Sequence, residues 1–199
     1  LRSWDTSVSF NEDISVSTLD SGILTGWTRI EPQFSPVHLL GDLIIPPGVT
    51  LQILPQASLR IGASMTVDVQ GNLDAEDATI TGYDWLSLHI SGDAIIRGTQ
   101  ITGGPIDVAS DGELTVIDSL LNGAPIDLSS SSQVTLQASR LLGSSTCLSG
   151  TDQSILIVQD TTFESCHQQG ILAFGSTVEF TDITLAPGNG RGVWLQAAN

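Results

Sequence analysis

Residues 105–124 read PIDVASDGELTVIDSLLNGA and residues 125–144 read PIDLSSSSQVTLQASRLLGS, with eight of twenty positions identical. Several other positions exchange one aliphatic residue for another. A near-copy at a fixed step marks a repeat architecture, in which a single unit cannot bury its apolar face alone. The step continues on both sides of the pair. One apolar series runs Met65, Leu86, Ile106, Ile126, Cys147, Ile171 and Val193, and two residues on runs Val67, Leu88, Val108, Leu128, Ser149, Ala173 and Leu195. A third passes through Leu73, Ala94, Leu114, Val134, Leu156 and Val178, partnered by Ala75, Ile96, Val116, Leu136, Val158 and Phe180. A fourth passes through Ile80, Ile101, Leu121, Leu141, Phe163 and Leu185.

Within each unit apolar and polar residues alternate, which is the period of a strand and not of a helix. Gly, Asn, Asp and Ser gather between the short runs, where turns belong. No window carries an amphipathic helical pattern longer than about two turns, so the crossover helices of a βαβ fold are not expected. The reading is an all-β parallel β-helix of about seven coils, each built from three short strands and three turns. Like residues then stack at roughly 4.8 Å per coil into interior ladders. A β-sandwich of short strands has no need of four apolar ladders in register.

The repeat spans residues 38–199. Its last coil is expected to be incomplete, because RGVWLQAAN matches QGILAF one coil earlier and so begins a coil that residues 191–199 do not finish. Residues 1–37 do not fit the repeat and are expected to cap the first coil, where an open end exposes apolar ladders and unpaired edges.

The chain has 22 acidic residues against six Arg and no Lys, for a net charge of −16. Such a charge repels nucleic acid and anionic lipid, so neither is an expected partner. No apolar run approaches the ~18 residues that cross a bilayer as a helix, so membrane insertion is not expected. LRSWDTSVSF shows neither the basic start nor the apolar core of a signal peptide, and without an initiator Met the chain reads as a processed or partial one. An acidic, Ser-, Thr- and Gly-rich composition points to an extracellular or cell-surface all-β protein. Acidic surfaces suit divalent cations, so calcium is the one cofactor left open.

Residues 49–82, VTLQILPQASLRIGASMTVDVQGNLDAEDATITG, carry a recognisable phrase built on Pro47, Gly48, Val49, Thr50, Leu51, Ile53, Pro55, Leu59, Val67, Val69, Gly71, Leu73, Ala75 and Gly82. It resembles the opening coils of extracellular right-handed parallel β-helix repeat proteins of the pectin-lyase-like fold, although Gln56 stands where that family usually has Gly. The resemblance covers roughly residues 38–195. It implies a right-handed helix and an extracellular setting. Such proteins include lyases, hydrolases, adhesins and surface proteins, so function must be argued from a site.

Residues alternating with the buried ones point outward. On the strand beginning near Ile106 these are Thr66, Ser87, Asp107, Asp127, Leu148, Leu172 and Trp194; beside them run Asp68, His89, Ala109, Ser129, Gly150, Phe174 and Gln196. The resemblance implies that catalytic carboxylates, where present, lie on such a face. Asp107 and Asp127 are then neighbours one coil apart, close enough to couple their titrations or share a cation, with His89 nearby. A hydrolase would use one carboxyl as general acid and the other as base or nucleophile. A lyase needs a cationic base, and without Lys, and with Arg97 and Arg140 on other faces, that reading is weaker. The plainer reading is a row of hydrated acids repeated because the coil is repeated. Asp107, Asp127 and His89 are thus candidates and not a complete constellation.

Leu148, Leu172, Phe174 and Trp194 together would form an apolar patch for an interface or for stacking on sugar, unless flanking polypeptide covers it. No metal motif is present: His38, His89 and His167 are scattered, and there is no HExxH. Asp118, Asp160 and Asp182 recur at equivalent turns with Ala138 interrupting them. Cys147 opens one coil and Cys166 closes it at the matching corner, so stacking favours a disulfide over two buried thiols. The functional expectation is a non-enzymatic extracellular module with a structural, adhesive or assembly-forming role. The alternative is a polysaccharide-binding or polysaccharide-cleaving domain. Expected partners are further coils or a second copy at the C-terminal end, and a glycan.

Overall fold

Short alternating runs separated by turn residues leave each strand only two to six residues, too short for an isolated sheet to be stable. Stacking resolves this. In the computed structural model, which describes residues 17–196, the chain winds as a parallel β-solenoid with three sheets. Sheet A holds nine strands from Ser17–Leu19 to Thr184–Leu185, sheet B nine from Gly22–Ile23 to Arg191–Gln196, and sheet C eight from Thr28–Ile30 to Thr177–Thr181. Strands three apart in sequence pair in parallel, so each coil lies on the one before it. Helical structure among the described residues is confined to one 3-10 turn, Pro32–Phe34, and no helix is long and apolar enough to cross a membrane.

Eight coils are complete and a ninth contributes two strands, against an expectation of about seven. The additional coil comes from residues 17–30. Ser17 pairs with Val37, Gly22 with Leu43 and Thr28 with Leu51, so this stretch carries the same three-sheet architecture as residues 38 onward. Its strands are two or three residues long, and its sheet B strand exposes both residues, which hides the repeat from a periodicity reading. The rest of the expected cap, residues 1–16, lies outside the described residues.

The interior ladders of sheets A and C run as the spacing predicts. Leu59, Ile80, Ile101, Leu121, Leu141 and Phe163 stack through sheet A, and Leu73, Ala94, Leu114, Val134 and Leu156 through sheet C. All are buried. Burying each of the larger aliphatic side chains is worth about 1.5–3 kcal/mol before the conformational entropy of ordering it is counted.

The corner between sheets C and A shows how buried polar groups are satisfied. Thr99, Ser119, Ser139 and Thr161 are buried there in a column. The backbone N–H of Ala78 donates to Thr99 Oγ1 at 3.3 Å, that of Thr99 to Ser119 Oγ at 3.1 Å, and that of Ser119 to Ser139 Oγ at 3.2 Å. Each hydroxyl in turn donates to the carbonyl two residues earlier, so the column leaves few unmade bonds of the kind that cost about 1–3 kcal/mol. The residue before each hydroxyl turns the chain with positive φ: Gly98 at 57°, Asp118 at 49°, Ala138 at 48° and Asp160 at 48°, with Asp182 at 52° one coil on. The recurring aspartates therefore sit where a left-handed backbone is needed, a conformation Asp tolerates. Ala138 adopts it at a cost of roughly 1–2 kcal/mol.

Cys147 and Cys166 are joined by a disulfide and both are buried. The bridge ties the strand Thr146–Thr151 to the corner of the following coil. There the Cys166 N–H also donates to Asn189 Oδ1, one coil further on, at 2.8 Å.

Candidate functional site

The outer face of sheet B gathers the candidate carboxylates, but in a different row from the one the spacing predicts. Leu88 pairs with Ile106 and His89 with Asp107, while Val67 pairs with Leu88 and Asp68 with His89. One outward row therefore reads Asp68, His89, Asp107, Asp127, Ser149, Leu172, Trp194. The expected alignment set Leu86 against Ile106 and left His89 in a parallel row beside Ala109. It slips because Trp85, 3% exposed, fills the interior at that corner and Leu86, 60% exposed, does not. The loop takes up two residues that a constant step would have given to the strand.

A second slip moves Leu148. It pairs with Ile126 on one side and Ile171 on the other, inside the solenoid, and is fully buried. Its expected place in an exposed patch is thus corrected. Adjacent Cys147 and Leu148 both face inward, which breaks the strict alternation a strand reading assumes. Leu172 and Phe174 are half-buried and Trp194 is exposed, with Leu172 beside Trp194 in the row. Arg191 stacks its guanidinium 4.5 Å from the Trp194 ring centroid.

In the acidic part of the row, neighbouring coils bring the side chains to roughly one strand spacing, ~4.8 Å. Asp107 is half-buried, and Asp127 is exposed and accepts a hydrogen bond from the Ser149 hydroxyl. Asp68 Oδ2 accepts from Gln70 Nε2 at 2.7 Å, and its buried Oδ1 has no hydrogen-bond partner. His89, Asp107, Asp127, Ser129, Ser149 and Thr151 line one shallow, open depression of about 520 Å³. Arg97 lies on sheet C and Arg140 on sheet A, each beside an acid, Asp74 and Glu164 respectively, so neither serves this face. Among the described residues no group of three or more His, Cys, Asp or Glu side chains is arranged to hold a metal ion.

Burial pushes the Asp107 carboxyl above its ordinary value of 3.8; the Ser87 hydroxyl opposes the rise, the Asp127 charge adds to it, and His89 opposes it. A carboxyl held high in the folded state binds its proton more tightly there than in the unfolded chain. Its contribution to stability is therefore fully present below 3.8 and is lost as pH rises through the folded value. Asp107→Asn removes that loss. Its melting temperature is expected to exceed that of the parent at neutral pH, with the gap closing below the ordinary aspartate value. A gap that stays constant with pH in paired thermal melts would refute the raised carboxyl.

Chemically, the row offers a carboxyl whose proton is held more tightly than usual, placed between an imidazole and a second carboxyl. That is the minimum for acid–base work on a glycosidic bond. It lacks walls: the depression is open, and none of the described residues closes over the carboxyl pair to exclude water.

No family model matches this chain. No curated protein matches it either. Among solved structures it is similar to a TibA fragment hyper-glycosylated in a TibC-catalysed reaction, at 12% identity with a TM-score of 0.21, over 91% of this chain and 88% of that one. A likeness that slight carries no argument about the site.

Proposed function

We propose that this chain is a rigid module of an extracellular or cell-surface protein, with a structural or adhesive role, and that its outer sheet faces make contacts without turning substrate over. One observation carries the reading: the three sheets keep parallel register through eight coils, and among the described residues no inserted segment builds a cleft over the carboxylate row. A stack of eight to nine coils is a rod roughly 40 Å long at the usual strand spacing. The disulfide supports an oxidising compartment. Val193 and Leu195 on the last strand, each at least one-third exposed, suit contact with a further coil or a second copy. The pectin-lyase-like resemblance fits this setting.

A second reading, polysaccharide cleavage at Asp107 and Asp127, is favoured by the raised Asp107 carboxyl alone. One experiment separates the two. Beads coated with the protein are passed over immobilised polysaccharides while reducing ends and unsaturated products are assayed. The module reading expects retention with no product. Product release that disappears in Asp107→Asn would overturn it and establish the enzyme.

A further inference from the structure

We infer that the corner between sheets A and B in the second to fourth coils is a binding site for an anionic sugar, a pyranose ring bearing one carboxylate or sulfate. His38 pairs with Arg60, and Arg60 with Thr81, so the three lie next to one another along one outward row of sheet A. Together with Tyr83 and the small residues Gly62 and Gly82 they line one open depression of about 320 Å³. This surface is on a different sheet from the carboxylate row.

Charge singles out Arg60. Of the five described arginines, Arg97 and Arg140 are next to acids, and Arg29 and Arg191 lie over Trp27 and Trp194. Arg60 is exposed and has no ion pair or stacked ring among the described residues. In a chain of net charge −16, a guanidinium left beside an imidazole, with no carboxylate lining the same depression, is a local reversal of sign. A guanidinium binds carboxylate or sulfate oxygens through two parallel N–H donors.

Tyr83 supplies the sugar preference. It is 81% exposed, the most open of the large apolar and aromatic side chains among the described residues, on a loop held from beneath. Trp85, two residues on, is buried under Gly82, Gly103 and Gly104, where added Cβ atoms would meet its ring at 2.5–3.0 Å. The Ser64 N–H donates to the Asp84 carbonyl at 2.8 Å and the Leu86 N–H to the Met65 carbonyl at 2.9 Å. A tyrosine has only two side-chain torsions to order, so it loses little entropy on binding, and it offers a ring face to the C–H side of a pyranose. The Thr81 hydroxyl and the His38 ring nitrogens remain for hydroxyl groups of the sugar.

The inference gives the proposed module a ligand class and rests on that reading only in expecting binding without turnover. The test is calorimetry with three oligosaccharides of equal length: a hexuronate, a sulfated hexose and a neutral hexose, with an acidic peptide as a fourth titrant. Binding of the hexuronate, the sulfated sugar or both is expected, with at least tenfold weaker binding to the neutral one. Arg60→Gln and Tyr83→Ala are each expected to weaken it tenfold or more, and Tyr83→Phe to retain it, with unchanged melting temperatures. The site is overturned by equal affinity for the neutral sugar, by no binding of either anionic sugar, or by indifference to Arg60→Gln. Equal binding of the acidic peptide overturns the saccharide class. Depolymerisation of a bound sugar would instead refute the module reading and leave the site standing.

Discussion

Replacing Cys147 and Cys166 together by alanine is expected to lower stability by ~3 kcal/mol, the entropy released when a loop of about twenty residues is opened in the unfolded chain. The two cysteines are 19 residues apart and sit on successive coils, so the bridge closes one turn of the solenoid. Each coil of a solenoid touches only its neighbours, and stability is a sum of unit terms and interface terms. A cross-link between adjacent coils acts on one interface term directly. Both sulfurs are buried, so the alanines also leave unfilled space, and the loss should not fall below the entropic figure. Urea denaturation of the parent and the double variant measures it. A difference under about 1 kcal/mol would mean that the unfolded chain is already held compact there, or that the coil interface does not depend on the bridge.

The solenoid itself was legible wherever the step stays near twenty. From Leu73 to Phe180 the sheet C ladder falls where the spacing places it, because its strands are five residues long and each is followed by a two-residue turn into sheet A. Sheet B was less legible because its corner with sheet A varies. Hydropathy does not say which of Trp85 and Leu86 turns inward; the ring's fit beneath Gly82, Gly103 and Gly104 does. Choosing Leu86 slides the row by two, which keeps Asp107 and Asp127 outward and together but detaches His89. At Cys147–Leu148 the slip is a single residue, and a slip of one flips a side chain to the other face. That single-residue slip is what turns Leu148 from the outer face to the interior. Arg60 and Tyr83 gave no signal in one dimension, since the depression they share exists only once Arg60 and Thr81 are paired across coils.

Phe163→Ala is expected to be the most damaging single truncation to a side chain, at about 3–5 kcal/mol. Phe163 is fully buried, stacked in sheet A between Leu141 and Leu185. Its two sides differ. Leu141 belongs to a ladder that continues, buried, through Leu121, Ile101 and Ile80, whereas Leu185 is already 40% exposed. The coils before Phe163 therefore keep a template after truncation, and those after it lose theirs. The backbone of the next coil hangs on this position too, through the Asn189 Nδ2 donation to the Phe163 carbonyl at 2.9 Å and the bond from Ala186 N–H to the same carbonyl. Hydrogen exchange should then show two populations: amides of residues 169–196 losing protection by a hundredfold or more, while those of residues 72–137 change little, as nearest-neighbour coupling requires. The same truncation at Leu121, in the middle of the stack, should instead lower protection on both sides, because it breaks two templated interfaces and not one terminal one. Equal loss of protection along the whole rod in Phe163→Ala would show that the coils unfold as a single unit, and the nearest-neighbour account of this solenoid would fail.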